Sequence, residues 1–236
     1  MRAELRPIPN TVLPDGQVMV DPVEEDFVQV VDADWLALDL RYASRGIPGS
    51  VNQAYLRKSV FERLVRASAG LPRGYRFVIF DAWRPLVVQQ WLYRQYADKI
   101  ASEHSSLSGK DLQRVIDTFV YPPSNDPMTP PPHTTGGAID LGILDSLGRP
   151  IDMGGSFDDF TTRSHTDYWE GSKNSTAAAN RRLLYWIMTD AGFTNLPTEW
   201  WHYDDGDAFW ALLTDLAPRY VGVFDAHSVI TNRQEA

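Results

Sequence analysis

A histidine and a carboxylate stand seven residues apart in the segment HTTGGAID, residues 133–140. On a helix this spacing would place both side chains on one face, and on a continuous strand it would place them on opposite faces. The glycine pair between them disfavours a helix and permits the chain to bend. We therefore expect His133, on a loop, and Asp140, on a strand, to converge.

A second carboxylate and a second imidazole lie three residues apart in the segment EWWH, residues 199–202. Zinc binds histidine nitrogen and carboxylate oxygen where no thiolate is offered, and three protein ligands leave a fourth position for water. Water on such a metal ionises near neutral pH, and a neighbouring carboxylate can take its proton. The residue types thus predict a catalytic zinc site made by His133, Asp140 and His202, with Glu199 as base rather than ligand.

Arg84 is the third candidate, in the segment DAWRP, residues 81–85, which directly follows a predicted strand. A permanently charged guanidinium can stabilise the oxyanion that forms when an amide carbonyl is attacked. Together with the predicted metal site, Arg84 indicates peptide hydrolysis. We interpret Asp81 as a structural hydrogen-bond acceptor at the end of the strand.

Each of these signals also has a purely structural explanation. A lone histidine is commonly a structural residue, and a Trp-Arg-Pro segment commonly begins a helix and exposes its cation. Ligands from separate segments have no fixed spacing, unlike those of a helical His-Glu-x-x-His motif. From the residues alone, a metal site and a structural role therefore both stay open.

Composition excludes several classes of protein and site. The chain has 236 residues, 43% hydrophobic and 22% charged, which is ordinary globular usage. Its net charge of −9 and the lack of a long basic run argue against nucleic acid and anionic membranes as partners. Because there are no cysteines, thiolate zinc sites and disulfides are excluded. The sequence shows no long apolar stretch and no secretory signal, so we expect a cytoplasmic protein.

The pattern of apolar residues predicts a mixture of strands and helices without regular alternation, and hence a single α+β domain. Residues 1–26 are rich in proline and acidic residues and are predicted to form an N-terminal arm, with the catalytic domain spanning 27–236. We expect Asp204, Asp205 and Asp207 to lie in a solvated turn, and His165 to lie at the surface or to touch the substrate. The predicted strands are 27–31 paired with 35–40, 75–80, 136–144 and 198–203, and the predicted helices are 58–69, 85–96, 110–119, 180–188 and 208–216.

Three motifs, FDAWRP at 80–85, HTTGGAID at 133–140 and EWWHY at 199–203, also resemble a known family in order and rough spacing. They are similar to the D-alanyl-D-alanine dipeptidases associated with vancomycin resistance. Further likeness lies at residues 39–43, 153–158 and 180–184, so the resemblance spans roughly residues 28 to 204. It implies the Hedgehog/D,D-peptidase fold, with a central antiparallel sheet flanked by helices, and hydrolysis of D-alanyl-D-alanine with one Zn²⁺ per chain.

The same resemblance implies a role for each matching residue. The zinc ligands correspond to His133, Asp140 and His202, the general base to Glu199, and the arginine that stabilises the transition state to Arg84. Asp158 corresponds to a carboxylate that receives the free amino group of the dipeptide, since a desolvated ammonium needs an anion opposite it. Tyr42 is expected to line the same small pocket.

Two features distinguish this chain from the family pattern. Pro131 stands where the pattern has a serine, two residues before the first histidine, and the segment 101–132 is distinctive. These features bear on substrate preference. Two alternatives to the dipeptidase also stay open: a D,D-carboxypeptidase or L,D-peptidase acting on longer cell-wall peptides, and a zinc-binding module without activity. Asp158 favours the dipeptidase, because a carboxypeptidase needs an open cleft on the amino side of its substrate.

Overall fold

A five-stranded sheet carries the core of this computed structural model, which describes residues 3–14, 16, 18–103, 106–117, 120–171 and 175–231. The strand order is β2-β4-β5-β7-β6, and every neighbouring pair is antiparallel except β2 with β4. The α+β class and the mainly antiparallel central sheet are thus confirmed. The strands are β1 (Phe27–Val30), β2 (Leu36–Leu38), β3 (Ala54–Arg57), β4 (Arg76–Asp81), β5 (Ala138–Leu144), β6 (Thr194–Asn195) and β7 (His202–Asp204).

The central strand β5 has all seven of its residues buried, as a strand covered on both faces requires. Asp140 of β5 pairs with Asp81 of β4 on one side and with His202 of β7 on the other. Asp81, Asp140 and His202 therefore form a row of polar residues across the sheet. A β-bulge between Ile79 and Asp81 shifts the register of β4, and such a bulge re-aims the side chain that follows it. Side chains directly opposite each other in neighbouring strands share a face of the sheet.

Helices cover the sheet and close the core. In α2 the apolar positions Val60, Leu64 and Ala67 recur at helical spacing and are buried. The long helix predicted from residue 180 in fact begins at Ser175. The helices are α1 (Arg41–Ser44), α2 (Lys58–Ser68), α3 (Leu86–Glu103), α4 (Gly109–Asp117), α5 (Ser175–Asp190), α6 (Ala208–Thr214) and α7 (Ala226–Thr231), with 3-10 turns at Ala3–Leu5, Pro132–Thr135 and Thr162–Ser164. The last two residues of the predicted helix 110–119 lie outside the described ranges.

Two predicted strand features are wrong. Residues 27–31 and 35–40 do not pair with each other, because β1 pairs with β3 in a separate two-stranded sheet while β2 joins the edge of the main sheet. The predicted strand 198–203 is a strand only from His202. Hydrogen bonds from the Glu199 amide to the Leu196 carbonyl and from the His202 amide to the Glu199 carbonyl turn the chain immediately before β7.

The N-terminal residues pack on the domain rather than away from it. Arg6 forms an ion pair of 2.7 Å with Asp190, and the Trp186 indole donates a hydrogen bond to the Arg6 carbonyl. Further along, the amides of Asp21 and Val23 donate to the carbonyls of residues 218 and 219. Residues 1, 2, 15 and 17 of the predicted arm and 232–236 of the predicted domain lie outside the described ranges.

Among the described residues, none of the helices combines the length and the apolar character needed to cross a bilayer.

Candidate active site

Three buried side chains from different elements meet at one point. His133 comes from the 3-10 turn at Pro132–Thr135, Asp140 from β5 and His202 from β7, and one ligand atom of each lies within 4.8 Å of the others. The glycine after the turn makes this possible: Gly136 has φ 76°, in the left-handed region, and so lets the turn lead directly into β5.

Both imidazoles are oriented by hydrogen bonds from the nitrogen that faces away from this point. His133 Nδ1 lies 2.8 Å from the Ala82 carbonyl, which can only accept, so Nδ1 carries the proton and Nε2 is free. His202 Nε2 lies 2.7 Å from Asp204 Oδ1, which leaves its Nδ1 free. A carboxylate or carbonyl behind a ligating histidine commonly fixes the tautomer in this way.

The two free nitrogens and Asp140 form a donor set that suits a cation. His133 Nε2 and His202 Nδ1 are 3.1 Å apart, and His202 Nδ1 is 3.0 Å from Asp140 Oδ1. When both nitrogens are unprotonated, their lone pairs and the Asp140 carboxylate converge on one point, where a cation would be bound. Although burial opposes it, the two histidines hold the pKa of the Asp140 carboxyl well below its usual range. Nitrogen and carboxylate ligands of this number fit zinc with an open position.

Arg84 lies beside this group with its guanidinium fixed on several sides. Its Nε donates to Asp81 at 2.8 Å and its Nη1 to Gln89 at 2.6 Å, while Nη2 lies 3.5 Å from Asp140 Oδ2. The backbone amide of Arg84 donates to the His133 carbonyl, which couples the arginine segment to the histidine segment. The side chain is buried and keeps its charge next to the proposed ligands.

Tyr42 and Asp158 form a second polar pair in the site. The Tyr42 hydroxyl donates to Asp158 Oδ1 at 3.1 Å and lies 3.4 Å from Arg84 Nη2. Arg45 pairs with the other oxygen of Asp158 at 2.9 Å. Burial raises the pKa of Asp158 to about 6, and the charge of Asp140 acts in the same direction. The structure therefore places an anion with little solvent near the predicted ligands.

Glu199 stands next to the three ligands in the turn before β7. Its Oε2 lies 3.9 Å from His202 Nδ1, and 12% of its side chain is exposed. Burial raises the pKa of Glu199 to about 8, and Asp140 and Asp158 add to this effect while His202 opposes it. A carboxyl group with a pKa in this range can both accept and return a proton near neutral pH.

All seven predicted site residues line one cavity of about 670 Å³: Tyr42, Arg84, His133, Asp140, Asp158, Glu199 and His202. His165 also lines it, and contact of this residue with a substrate stays a prediction. Apolar side chains also line the cavity, and they include Leu92, Leu196 and Phe209. Phe209 lies 6.5 Å from the His202 ring and packs edge-on against Tyr121.

The prediction of a solvated turn at Asp204, Asp205 and Asp207 is wrong. These three side chains are 0%, 0% and 1% exposed, because each has an internal partner. Asp205 accepts from Arg63, and Asp207 caps α6 by accepting from the Trp210 amide. The sequence did contain a signal that Asp204 is buried. Asp204 follows His202 by two residues on the same strand, and residues two apart on a strand share a face.

Gln89 and Arg45 were not singled out from the sequence. Gln89 is 2% exposed and joins Arg84 to the Tyr121 carbonyl, to which its amide donates at 2.7 Å. Arg45 reaches Asp158 from the residue just after α1. Neither position carries a local motif, because the contacts with Tyr121 and Asp158 join segments far apart in the chain.

An α+β domain with an open His-Asp-His group, a buried carboxyl beside it and a fixed arginine has the arrangement of a metal-dependent hydrolase. Comparison with known proteins specifies the family. The profile of the family described as D-ala-D-ala dipeptidase matches residues 24–222. The chain belongs to this family.

Individual relatives agree with the family match. A D-alanyl-D-alanine dipeptidase of Synechocystis sp. is 36% identical over 66% of this chain and 71% of its own length. One of Escherichia coli is 32% identical over 79% of this chain and 86% of its own. Among solved structures, a vancomycin-resistance D,D-pentapeptidase in complex with Zn(II) matches with 16% identity and a TM-score of 0.41, over 71% of this chain and 84% of that one.

Proposed function

We propose that this protein is a zinc-dependent dipeptidase that hydrolyses D-alanyl-D-alanine, or a closely related D,D-dipeptide, to free amino acids. The observation that carries the proposal is the convergence of His133, Asp140 and His202 in one cavity with Glu199, Arg84 and Asp158. Family membership and the names of the relatives support the same activity. We assign the catalytic domain to residues 27–236 and the arm to residues 1–26.

A single zinc ion would be held by His133 Nε2, one oxygen of Asp140 and His202 Nδ1. When bound, such an ion lowers the pKa of water and polarises a carbonyl oxygen. The protein contributes the orientation of the ligands, since the Ala82 carbonyl and Asp204 fix the two imidazoles from behind. Asp140 contributes the negative charge that the cation requires.

Glu199 transfers the proton of the reaction, and Arg84 stabilises the carbonyl oxygen of the reacting peptide bond. Glu199 takes a proton from the attacking water and returns it to the nitrogen of the leaving amine, so one carboxyl serves as base and then as acid. Arg84 is held by Asp81 and Gln89, and its charge is already in place when the carbonyl oxygen becomes negative. Because the guanidinium does not need to reorganise, its effect falls on the transition state.

Asp158 and Tyr42 hold the amino end of the substrate. A free dipeptide carries an ammonium group there, and a mostly buried carboxylate is its natural partner. A substrate with a blocked amine would offer no ammonium group to Asp158, whose only charged partner among the described residues would then be Arg45. This preference distinguishes a dipeptidase from a carboxypeptidase that acts on longer chains.

The activity can be tested by release of D-alanine from D-alanyl-D-alanine with and without a chelator. L-alanyl-L-alanine and N-acetyl-D-alanyl-D-alanine serve as controls for chirality and for the free amine. We expect chelator-sensitive cleavage of the free D,D-dipeptide only. Cleavage of the acetylated substrate would indicate a carboxypeptidase, and no cleavage of any substrate would indicate a binding module.

The role of Glu199 can be tested with Glu199→Gln, which keeps the shape of the side chain and removes the proton acceptor. We expect kcat to fall by about 10²- to 10⁴-fold, the range typical of a lost general base. Zinc content, measured by metal analysis after dialysis, should stay near that of the unmodified protein. Near-normal kcat in this variant would show that Glu199 is not the base.

A further inference from the structure

The N-terminal arm reaches the candidate active site, although its residues 1–23 lie outside the match to the family profile. The profile begins at residue 24, whereas residues 10–13 line the same cavity as Glu199 and the three proposed ligands. Thr11 and Leu13 are half-buried, while Val12 between them is 79% exposed. Thr11 and Leu13 are therefore packed more closely against the protein than Val12 is.

The arm is fixed to the domain on both sides of this segment. Before it, the Arg6 guanidinium lies 3.5 Å from the centre of the Trp186 ring and pairs with Asp190. The Ile8 amide donates to Glu170 at 3.0 Å, and the Ile8 side chain is 7% exposed. After it, Asp21 and Val23 bond to residues 218 and 219. The segment 10–13, which lines the cavity, thus lies between two attachment points of the arm.

The arm lies on the side of the cavity where the carboxyl-terminal residue of the dipeptide is expected. Leu196, Pro197 and Thr198 line the cavity directly before Glu199, and Thr11 and Pro197 also share the lining of a smaller neighbouring cavity. The leaving amine must lie beside Glu199, because Glu199 returns the proton to it. That amine belongs to the carboxyl-terminal residue of the dipeptide, so this residue lies on the side where the arm forms the wall.

The size of the cavity indicates which side chain it receives. A volume of about 670 Å³ lies in the middle of the range of roughly 300–1,000 Å³ that is typical of pockets for drug-sized ligands. A dipeptide with two methyl side chains fills only part of such a space. Leu13, Leu196 and Phe209 supply apolar surface next to the proposed position of the carboxyl-terminal residue.

We propose that the arm determines substrate specificity, an inference that rests on the proposed function. Thr11 and Leu13 form the wall that receives the carboxyl-terminal side chain. The preferred substrates are then D,D-dipeptides whose carboxyl-terminal side chain is large and apolar. Contact between this side chain and the wall strengthens substrate binding, because the wall is remote from the reacting atoms. The contact therefore lowers KM and does not raise kcat.

The test compares D-alanyl-D-leucine with D-alanyl-D-alanine. In the unmodified protein we expect KM to be roughly tenfold lower for D-alanyl-D-leucine, since added apolar groups in a pocket are worth this much or more. Leu13→Ala should reduce the ratio of the two kcat/KM values by roughly three- to tenfold. Leu5→Ala is the matched control, because Leu5 lies in the same arm, is 61% exposed and does not line the cavity.

Arg6→Ala provides a second variant that touches no substrate and loosens the arm at its anchor. It should change the ratio in the same direction as Leu13→Ala, with thermal melting used to confirm that both variants stay folded. An unchanged ratio in both variants, or a higher KM for D-alanyl-D-leucine in the unmodified protein, would overturn the inference. Failure to cleave either dipeptide would instead overturn the proposed function.

Discussion

Asp158 is held in surroundings that oppose its charge. Its side chain is 12% exposed, and its backbone has φ 60°, a left-handed conformation that is uncommon outside glycine. Both features concern the residue proposed to receive the substrate's ammonium. Backbone strain and unfavourable burial of this kind cluster at functional sites, because surrounding structure must enforce them. Asparagine tolerates the same conformation, so Asp158→Asn tests the charge without disturbing the backbone.

Substrate binding should depend on the protonation of Asp158. Because its pKa is raised to about 6, the carboxyl becomes neutral as the pH falls through about 6 or, with a cation bound nearby, somewhat below. We expect KM for the free dipeptide to rise as the pH falls through this range, in addition to the fall in kcat that protonation of Glu199, with its pKa of about 8, produces. In Asp158→Asn, KM should be high at every pH. A KM profile with the same acid limb in this variant would assign the limb to another group.

The same substitution should stabilise the folded protein. A carboxyl whose pKa is raised by folding contributes stability at low pH, and this contribution is lost as the pH rises through the folded value of about 6. At pH 8 Asp158→Asn should therefore increase the free energy of unfolding by up to about 3 kcal/mol, and at pH 4 by little. Urea unfolding of the metal-free protein at the two pH values measures the difference, and equal effects at both would contradict the assignment.

The principal side chains of the site could be predicted from the sequence because they occur in short motifs. His133 with Asp140, and Glu199 with His202, are close in sequence, and the chemistry of zinc selects these residue types. Asp204 was misjudged because three acids in four residues resemble an exposed turn. Its burial depends on β7 lying between two other strands, which no local pattern reveals.

At the level of secondary structure, the bend at Gly136 places His133 beside Asp140. Gly136 has φ 76°, and a Cβ atom there would lie 2.3 Å from Cε1 of Phe27 in β1. The position thus requires glycine for two reasons, conformation and space. The Arg57 amide also bonds to the Gly136 carbonyl, so the bend is attached to β3 as well.

Gly136→Ala should lower both stability and metal affinity. A left-handed alanine costs about 1–2 kcal/mol, and displacing Phe27 adds to this. Gly46→Ala is the matched control, because Gly46 has φ 68° with no atom within 4 Å of the added Cβ. We expect Gly136→Ala to lose at least about 1 kcal/mol more than Gly46→Ala in urea unfolding. Equal losses would show that the contact with Phe27 is unimportant.

The elements themselves were easier to predict than their partners. Periodicity identifies α2 and β4 because local burial patterns produce it, but pairing depends on contacts between distant segments. β1 and β2 are separated by five residues, yet they belong to different sheets. The bulge before Asp81 is equally invisible in sequence, although it directs a side chain that holds Arg84.

For the whole molecule, zinc should act as a stabilising ligand. Burial alone lowers the pKa of His202, yet Asp204 and Asp140 outweigh it and raise that pKa well above its ordinary value, which reflects the negative charge that a cation would meet. Free zinc at a hundred times its Kd contributes about 2.7 kcal/mol of stability. For a chain of this length, we expect Tm to rise by about 5 to 10 °C.

Two variants define the origin of this shift. His133→Ala should abolish the zinc-dependent rise in Tm, and magnesium should not replace zinc, since the donor set is rich in nitrogen. Asp204→Asn should need roughly 10- to 100-fold more zinc for the same rise, as is typical when a partner behind a ligating histidine is lost. A full shift in His133→Ala would place the stabilising zinc elsewhere on the protein.

The row formed by Asp81, Asp140 and His202 ties the chemistry to the alignment of three strands. A slip of one residue between β5 and either neighbour would turn a member of the row to the opposite face of the sheet. The affinity for the cation should therefore fall whenever the alignment of these strands changes. Substitutions deep in the core that leave the protein folded but shift one strand should be detected first as lost metal, before any change in secondary structure is visible.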